Sequence, residues 1–269
     1  MTTNAALPRS LSAAETTHWG ERFGVAEDQV RHDFLLSHVL TAIAASRANV
    51  VFYGGTALSR TFLPHLRLSE DIDLLSVGPR GDAAAALDES IRTHLTIAFG
   101  GVTADRWLSQ ARVDTDASVL FVAGTGVNVQ LIDGRAYPPW PTALSTVTMR
   151  YAGMPDVRLT TLTGDGFVGA KTVAWCDRTR HAPRDLYDLW ALGQAGRIDA
   201  TAARTYRRVG PTGAYPHRWT LPSGPPSEGQ WQDALAHQCL LRVTAAEAFD
   251  SVTSAWLRAV EVAENAGPA

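Results

Sequence analysis

Val50-Val51-Phe52-Tyr53-Gly54-Gly55-Thr56-Ala57-Leu58-Ser59-Arg60, followed by Leu68-Ser69-Glu70-Asp71-Ile72-Asp73-Leu74-Leu75, decides how this chain reads. Val50 to Tyr53 is short, apolar and β-favouring, which predicts a buried strand. The two glycines allow a sharp turn and bring backbone N–H groups close to a ligand. Thr56 is placed to cap the helix that follows, whose positive end suits phosphate. The next apolar run carries the aspartates. Residues i and i+2 of a strand share a face, so Asp71 and Asp73 point one way while Ile72 and Leu74 face the core. By the same parity the Ser69 hydroxyl opens on the aspartate side. Adjacent carboxylates repel unless a cation bridges them, and oxygen-only ligands suit Mg²⁺ or Mn²⁺. Either half alone is weak evidence: a Gly-Gly-Thr turn is common, and an Asp-x-Asp is more often a solvated edge. Their joint occurrence, with 14 residues between Thr56 and Asp71, points to metal-dependent phosphoryl-type transfer.

Outside that stretch, residues 26 to 48 form an expected amphipathic helix, with Val30, Phe34, Leu35, Val39 and Ile43 at helical spacing. A helix is expected from about Asp82 to Ala98, and strands near 106–113, 117–123, 127–133 and 145–150. From about 164 the pattern turns helical. The Pro/Gly-rich segment Gly210 to Gly229 interrupts it, carrying Tyr215, His217, Arg218 and Trp219. These could stack nucleobases, or form a surface loop anchored by Trp219.

Composition bounds the class without deciding it. The chain has 269 residues, 45% hydrophobic and 19% charged, with a net charge of −3, as in soluble globular proteins. No apolar run approaches a membrane span and the polar N-terminus lacks a signal-peptide pattern, so a cytoplasmic protein is expected. Cys176 and Cys239 are too few for a disulfide framework or a thiolate zinc site. Charge is unevenly spread: Arg178 to Arg218 holds eight arginines against Asp185, Asp188 and Asp199. That excess suits a triphosphate or an RNA backbone, or is simply a solvated helix face.

Lysine usage adds an independent signal. Against 23 arginines there is one lysine, Lys171, on an expected helix from Phe167 to Arg178, with Trp175 and Arg178 on the same side. A compact ammonium binds phosphate as a point charge, which a planar guanidinium does not reproduce. Arg184-Asp185-Leu186-Tyr187-Asp188-Leu189 follows Pro183, a helix start. There Asp185 complements the helix dipole and Arg184 with Asp188 makes an i, i+4 pair.

The ordered succession of Asp33-Phe34-Leu35-Leu36, the Gly54-Gly55-Thr56 turn, Asp71-Ile72-Asp73, Lys171, Arg178 and Arg184-Asp185-Leu186-Tyr187-Asp188 resembles the AbiEii/AbiGii (MenT-like) nucleotidyltransferase toxin family. That family sits within the DNA polymerase β-type superfamily, and the likeness spans roughly residues 26 to 195. It implies an α/β (α+β) fold: a polymerase β-like mixed sheet in residues 1–150, and a mainly helical region in 151–269 that completes the active site. It also implies an abortive-infection toxin with a cognate antitoxin, using a nucleoside triphosphate and Mg²⁺ (or Mn²⁺) to modify an acceptor, which in some members is the tRNA 3′ end and is expected to be so here. On the resemblance, Asp71, Asp73, Lys171 and Asp185 are catalytic, and Asp71 and Asp73 hold metal. Gly54, Gly55, Thr56, Arg60, Ser69 and Lys171 bind the nucleotide, Arg60 being otherwise a surface arginine. One departure stands out. Where a third carboxylate is common, the strand Val127–Asp133 offers Asn128 and Gln130, while Asp133 lies on the other parity, next to Gly134, and is expected to open a turn. Two other readings remain: a nucleotidyltransferase acting on a protein or small molecule, and a non-catalytic partner-binding homologue.

Overall fold

A computed structural model describes residues 7–112, 116–177, 179 and 183–266. The helices are α1 (Ala13–Phe23), α2 (Glu27–Ala45), α3 (Gly54–Thr61), α4 (Arg80–Phe99), α5 (Gly164–Cys176), α6 (Pro183–Gln194), α7 (Ala200–Val209), α8 (Glu228–Leu235) and α9 (Ala245–Asn265). The strands are β1 (Val50–Tyr53), β2 (Asp71–Ser76), β3 (Thr103–Ala104), β4 (Ser118–Val122), β5 (Thr125–Asp133), β6 (Thr142–Val147) and β7 (Val157–Leu162). They form one mixed sheet in the order β3-β4-β5-β2-β1-β7-β6. Two compact units divide the chain, residues 1–137 with 144–161, and residues 138–143 with 162–269.

The first unit is built on β1, β2 and β5. Val50, Val51, Phe52 and Tyr53 are all buried, as befits a central strand covered on both faces. β1 runs antiparallel to β2, with Tyr53 opposite Asp73, and parallel to β7. β2 runs parallel to β5, with Asp71 opposite Asn128 and Asp73 opposite Gln130. Helices α2 and α4 pack on each other and on β5, and eleven α2 residues from Val30 to Ile43 are buried. That burial exceeds what a one-faced amphipathic helix needs, because α1, α4 and the sheet close on α2 from different sides.

Inside this unit Asp33 accepts from Arg60 Nη2 at 2.9 Å, Arg150 Nη1 at 3.1 Å and Tyr151 Oη at 2.8 Å. Burial pushes the Asp33 carboxyl up, but the two guanidiniums outweigh it and leave its pKa below the usual value. Burial, with repulsion from Arg60, brings Arg150 down to about 10. The cluster ties α2, α3 and the turn after β6 together. Removing one partner of such a buried network costs about 3–5 kcal/mol.

The second unit is helical. Helices α5, α6, α7 and α9 pack together, with α8 against α6. Trp231, Trp256, Tyr187 and Phe167 fill its interior. A β-carbon at Gly169 would meet the Trp140 ring at 2.3 Å, so the glycine is what seats that indole against α5.

Three local expectations change. No strand occupies 106–112: Trp107 to Gln110 forms a turn and only Thr103–Ala104 joins the sheet, while Val113 lies outside the described residues. The strand expected at 145–150 is Thr142–Val147, and Val157–Leu162 is an additional strand beside β1. Helix α1 was also not anticipated, although its signal is local: Ser12 and Glu15 make a capping box.

Candidate active site

The Gly-Gly-Thr turn passes directly from β1 into α3, which starts at Gly54 with Tyr53 as its N-cap. Gly54 has φ +78, a left-handed conformation that disfavours a side chain. Space demands glycine too, since a β-carbon there would stand 2.1 Å from Asp73 Oδ2. A β-carbon on Gly55 would meet Arg67 Nη2 at 2.8 Å and Ser69 Oγ at 2.9 Å. The turn is therefore pressed between the Asp73 carboxylate and the Arg67–Ser69 segment. The first backbone N–H groups of α3 have no partner within the helix, which is the arrangement that receives anions.

Asp71 and Asp73 are half-buried on β2 while Ile72 and Leu74 are fully buried, so the strand parity read from the sequence holds. Across the sheet, Asn128 Nδ2 donates to Asp71 Oδ1 at 2.8 Å, and Gln130 stands beside Asp73 in register. The neighbours of the acid pair are thus amides, one of which orients an aspartate rather than adding a third charge. Asp133 does open a turn: it caps a short 3-10 helix, Gly134–Ala136. Its hydrogen bonds from Arg135 hold its pKa down at about 2.

Thr56 and Arg60 depart from expectation. The Thr56 side chain does not cap α3. It is buried, and its hydroxyl donates to the Asp71 carbonyl, which fastens the turn to β2. Any phosphate contact from Thr56 is left to its backbone. Ser69 precedes β2, so strand parity does not set its position. The loop does: Glu70 is held from α2 by His32, whose Nε2 lies 2.8 Å from its carbonyl, and by Gln29, which donates to its carboxylate at 3.1 Å. Arg60 is neither a surface arginine nor open to phosphate. It is 0% exposed, and its guanidinium is spent on Asp33, Ser37 and the Thr148 carbonyl. Its place one turn into α3 points it away from the helix N-terminus and into the core.

Arg67 was not singled out from the sequence. It is buried, donates through Nη1 to the Leu68 carbonyl at 3.1 Å, and lies against Gly55. The only hint was a cation alternating with Leu66 and Leu68 ahead of the acid pair.

The second unit holds a separate charged cluster. Lys171 on α5 is buried, and its Nζ lies 2.8 Å from Asp185 Oδ1 and 2.8 Å from Asp188 Oδ2, both on α6. Asp185 is therefore the lysine's partner besides lying in a first helical turn. Asp188, read as a structural residue in an i, i+4 pair with Arg184, is buried and binds the same ammonium. Arg178 lies outside the described residues.

The carboxylate pair fits a hard divalent cation. Among the described residues no group of three His, Cys, Asp or Glu side chains converges. Two carboxylates on one face suit Mg²⁺, an ion that keeps waters and completes its shell with substrate phosphate oxygens. Among the described residues no helix is long and apolar enough to cross a membrane.

Against known families, residues 36–253 match the family described as nucleotidyl transferase AbiEii toxin, type IV toxin–antitoxin system. No curated protein is similar in sequence. Among solved structures, the chain is similar to MenT4, a nucleotidyltransferase toxin from Mycobacterium tuberculosis H37Rv. The TM-score is 0.63 at 17% identity, over 94% of this chain and 90% of that one. It is also similar to JHP933 from Helicobacter pylori, with TM-score 0.53 at 15% identity over 90% and 96% of the two chains. A nucleotidyltransferase-type structure from H. pylori matches with TM-score 0.51 at 15% identity, over 91% and 100%. At these identities the structural likeness speaks for the fold.

Proposed function

Because the chain belongs to the AbiEii nucleotidyltransferase toxin family of type IV toxin–antitoxin systems, we propose that it moves a nucleoside monophosphate from a triphosphate onto the 3′ end of tRNA. In this reading Mg²⁺ (or Mn²⁺) assists, pyrophosphate leaves, and the blocked tRNA halts translation until a cognate antitoxin protein intervenes. All of this takes place in the cytoplasm.

The observation that carries the reading is the Asp71–Asp73 pair, set on one sheet face and closed against the Gly54–Gly55 turn at the start of α3. Asp71 and Asp73 would hold the cation, which supplies charge neutralisation at the phosphates when bound. Backbone N–H groups of Gly54, Gly55 and Thr56 bind phosphate oxygens, with Arg67 and Ser69 behind them. Asn128 keeps the Asp71 carboxylate in one orientation through its amide. The acceptor hydroxyl attacks the α-phosphorus in line with the leaving pyrophosphate. Lys171, ion-paired with Asp185 and Asp188 in the second unit, is the cation this reading assigns to the charge of the departing group.

The test is incubation of the purified protein with α-labelled nucleoside triphosphates, Mg²⁺ and total tRNA. We expect label in tRNA for the wild type and none for Asp71→Ala or Asp73→Ala, with both variants folded. Transfer retained in both folded variants would remove the aspartates from the metal site. Label appearing instead on a protein or small molecule would move the acceptor to that class.

A further inference from the structure

One surface of the second unit takes no part in the chemistry described so far. From Ala200 to Ser227 the chain carries Arg204, Arg207, Arg208, Arg218 and His217 and no acidic residue. The apolar side of α7, with Ala202, Ala203 and Tyr206, is buried, which leaves Arg207 and Arg208 exposed. In the following loop Tyr215 and Leu221 are buried and act as anchors. The expectation that Trp219 anchors the loop is reversed: it is 75% exposed.

This indole is nevertheless held in place. Thr220 N–H and Leu221 N–H donate to the His217 carbonyl at 2.9 and 3.2 Å, and the Thr220 hydroxyl donates to it at 2.7 Å, closing a tight turn around Trp219. The His217 ring stacks on the indole with centroids 4.6 Å apart and planes at 22°. One face is covered and the other stands in solvent. Beside it lies a cavity of about 490 Å³ lined by Arg207, Tyr215, His217 and Glu264, in which the Arg207 guanidinium sits 5.1 Å from the Tyr215 ring. A lone exposed ring is ordinary on a protein surface; this indole differs in being fixed by a hydrogen-bonded turn and stacked on one face. Its built turn and its arginine surroundings are the parts of a single-strand platform, where bases stack on an aromatic face and cations follow the backbone.

We propose that α7 and the loop after it dock a single-stranded stretch of RNA, with a base stacked on Trp219 and the flanking phosphates on Arg207 and Arg218. Arg204 and Arg208 extend the positive field. Glu264 accepts from a ribose 2′-hydroxyl or a base amine, groups that tolerate a carboxylate where a phosphate does not. The inference deepens the function proposed above and rests on it only in taking the acceptor to be RNA.

The test is equilibrium binding of the full chain to a short fluorescent single-stranded RNA, without triphosphate or divalent cation. A duplex RNA and a polyglutamate peptide serve as competitors. We expect Trp219→Ala to weaken single-strand binding about tenfold or more, Trp219→Phe to recover part of it, and thermal unfolding to stay unchanged. Arg207→Ala with Arg218→Ala should weaken binding and flatten its salt dependence. Asp71→Ala should bind as the wild type does, so that loss of transfer and loss of docking are read separately. Binding by Trp219→Ala within twofold of wild type, no RNA binding by the wild type, or polyglutamate competing as well as single-stranded RNA would each overturn the proposal. The last outcome would assign the surface to an acidic protein partner.

Discussion

The Asp73 carboxylate lies where a side chain on Gly54 would have to be: a β-carbon at Gly54 falls 2.1 Å from Asp73 Oδ2. The turn and the acid pair are thus one construction, and a change in the first displaces the second. Gly54→Ala should cost about 1–3 kcal/mol of stability through its positive φ, and displace Asp73. We expect nucleotidyl transfer to fall at least about a hundredfold in a protein that still unfolds cooperatively. A Gly54→Ala enzyme with near wild-type rates would mean that the position of Asp73 is not critical.

Asn128 donates to Asp71 from the strand position where the resemblance leads one to expect a third acid. Asn128→Asp sets a carboxylate opposite Asp71 on the neighbouring strand, and like charges so placed are destabilising. The apo protein should lose thermal stability near neutral pH and regain more of it on adding Mg²⁺ or Mn²⁺ than the wild type does. Thermal unfolding with and without metal measures this. An unchanged metal response would argue against a cation at the pair.

Lys171 serves two buried carboxylates at once, so its loss has a structural effect as well as any chemical one. Lys171→Ala leaves Asp185 and Asp188 facing each other and should cost about 3–5 kcal/mol. Adding Asp185→Asn and Asp188→Asn should restore much of that stability without restoring transfer. Lys171→Arg should fold and remain impaired, because the planar fork cannot meet both carboxylates as a point charge. If the triple variant transfers like the wild type, the lysine is purely structural.

His38 on α2 is fully buried, with Nδ1 3.2 Å from His94 Nε2. Burial, and then the neighbouring His94, hold its pKa down from 6.5 to about 4. The folded state therefore binds fewer protons than the unfolded one between these values. This contribution is fully present above pH 6.5 and is lost as pH falls toward about 4, by at most about 3 kcal/mol. His38→Gln should flatten the loss in denaturant unfolding measured across that window. A profile identical to wild type would assign the acid sensitivity elsewhere.

Much of the framework was legible in local sequence. The β2 parity, the β1–turn–α3 passage, α2, α4 and α5 follow from periods of 2 and 3.6 residues and from two glycines, since backbone geometry repeats within a few positions; the mixed-sheet class came with the family resemblance. Partners did not follow. Arg60 looked like a phosphate contact by its distance from the turn, yet it is bound to Asp33 on another helix and to the Thr148 carbonyl, 88 positions away. Asp188 read as structural, but its partner Lys171 emerged only when α6 was laid against α5. Trp219 looked like an anchor until Tyr215 and Leu221 took that place. Periodicity states which face a residue occupies, but not what meets that face. A buried charge or an exposed ring is settled only when distant segments pack, because desolvation and pairing energies depend on every neighbour brought within a few ångströms.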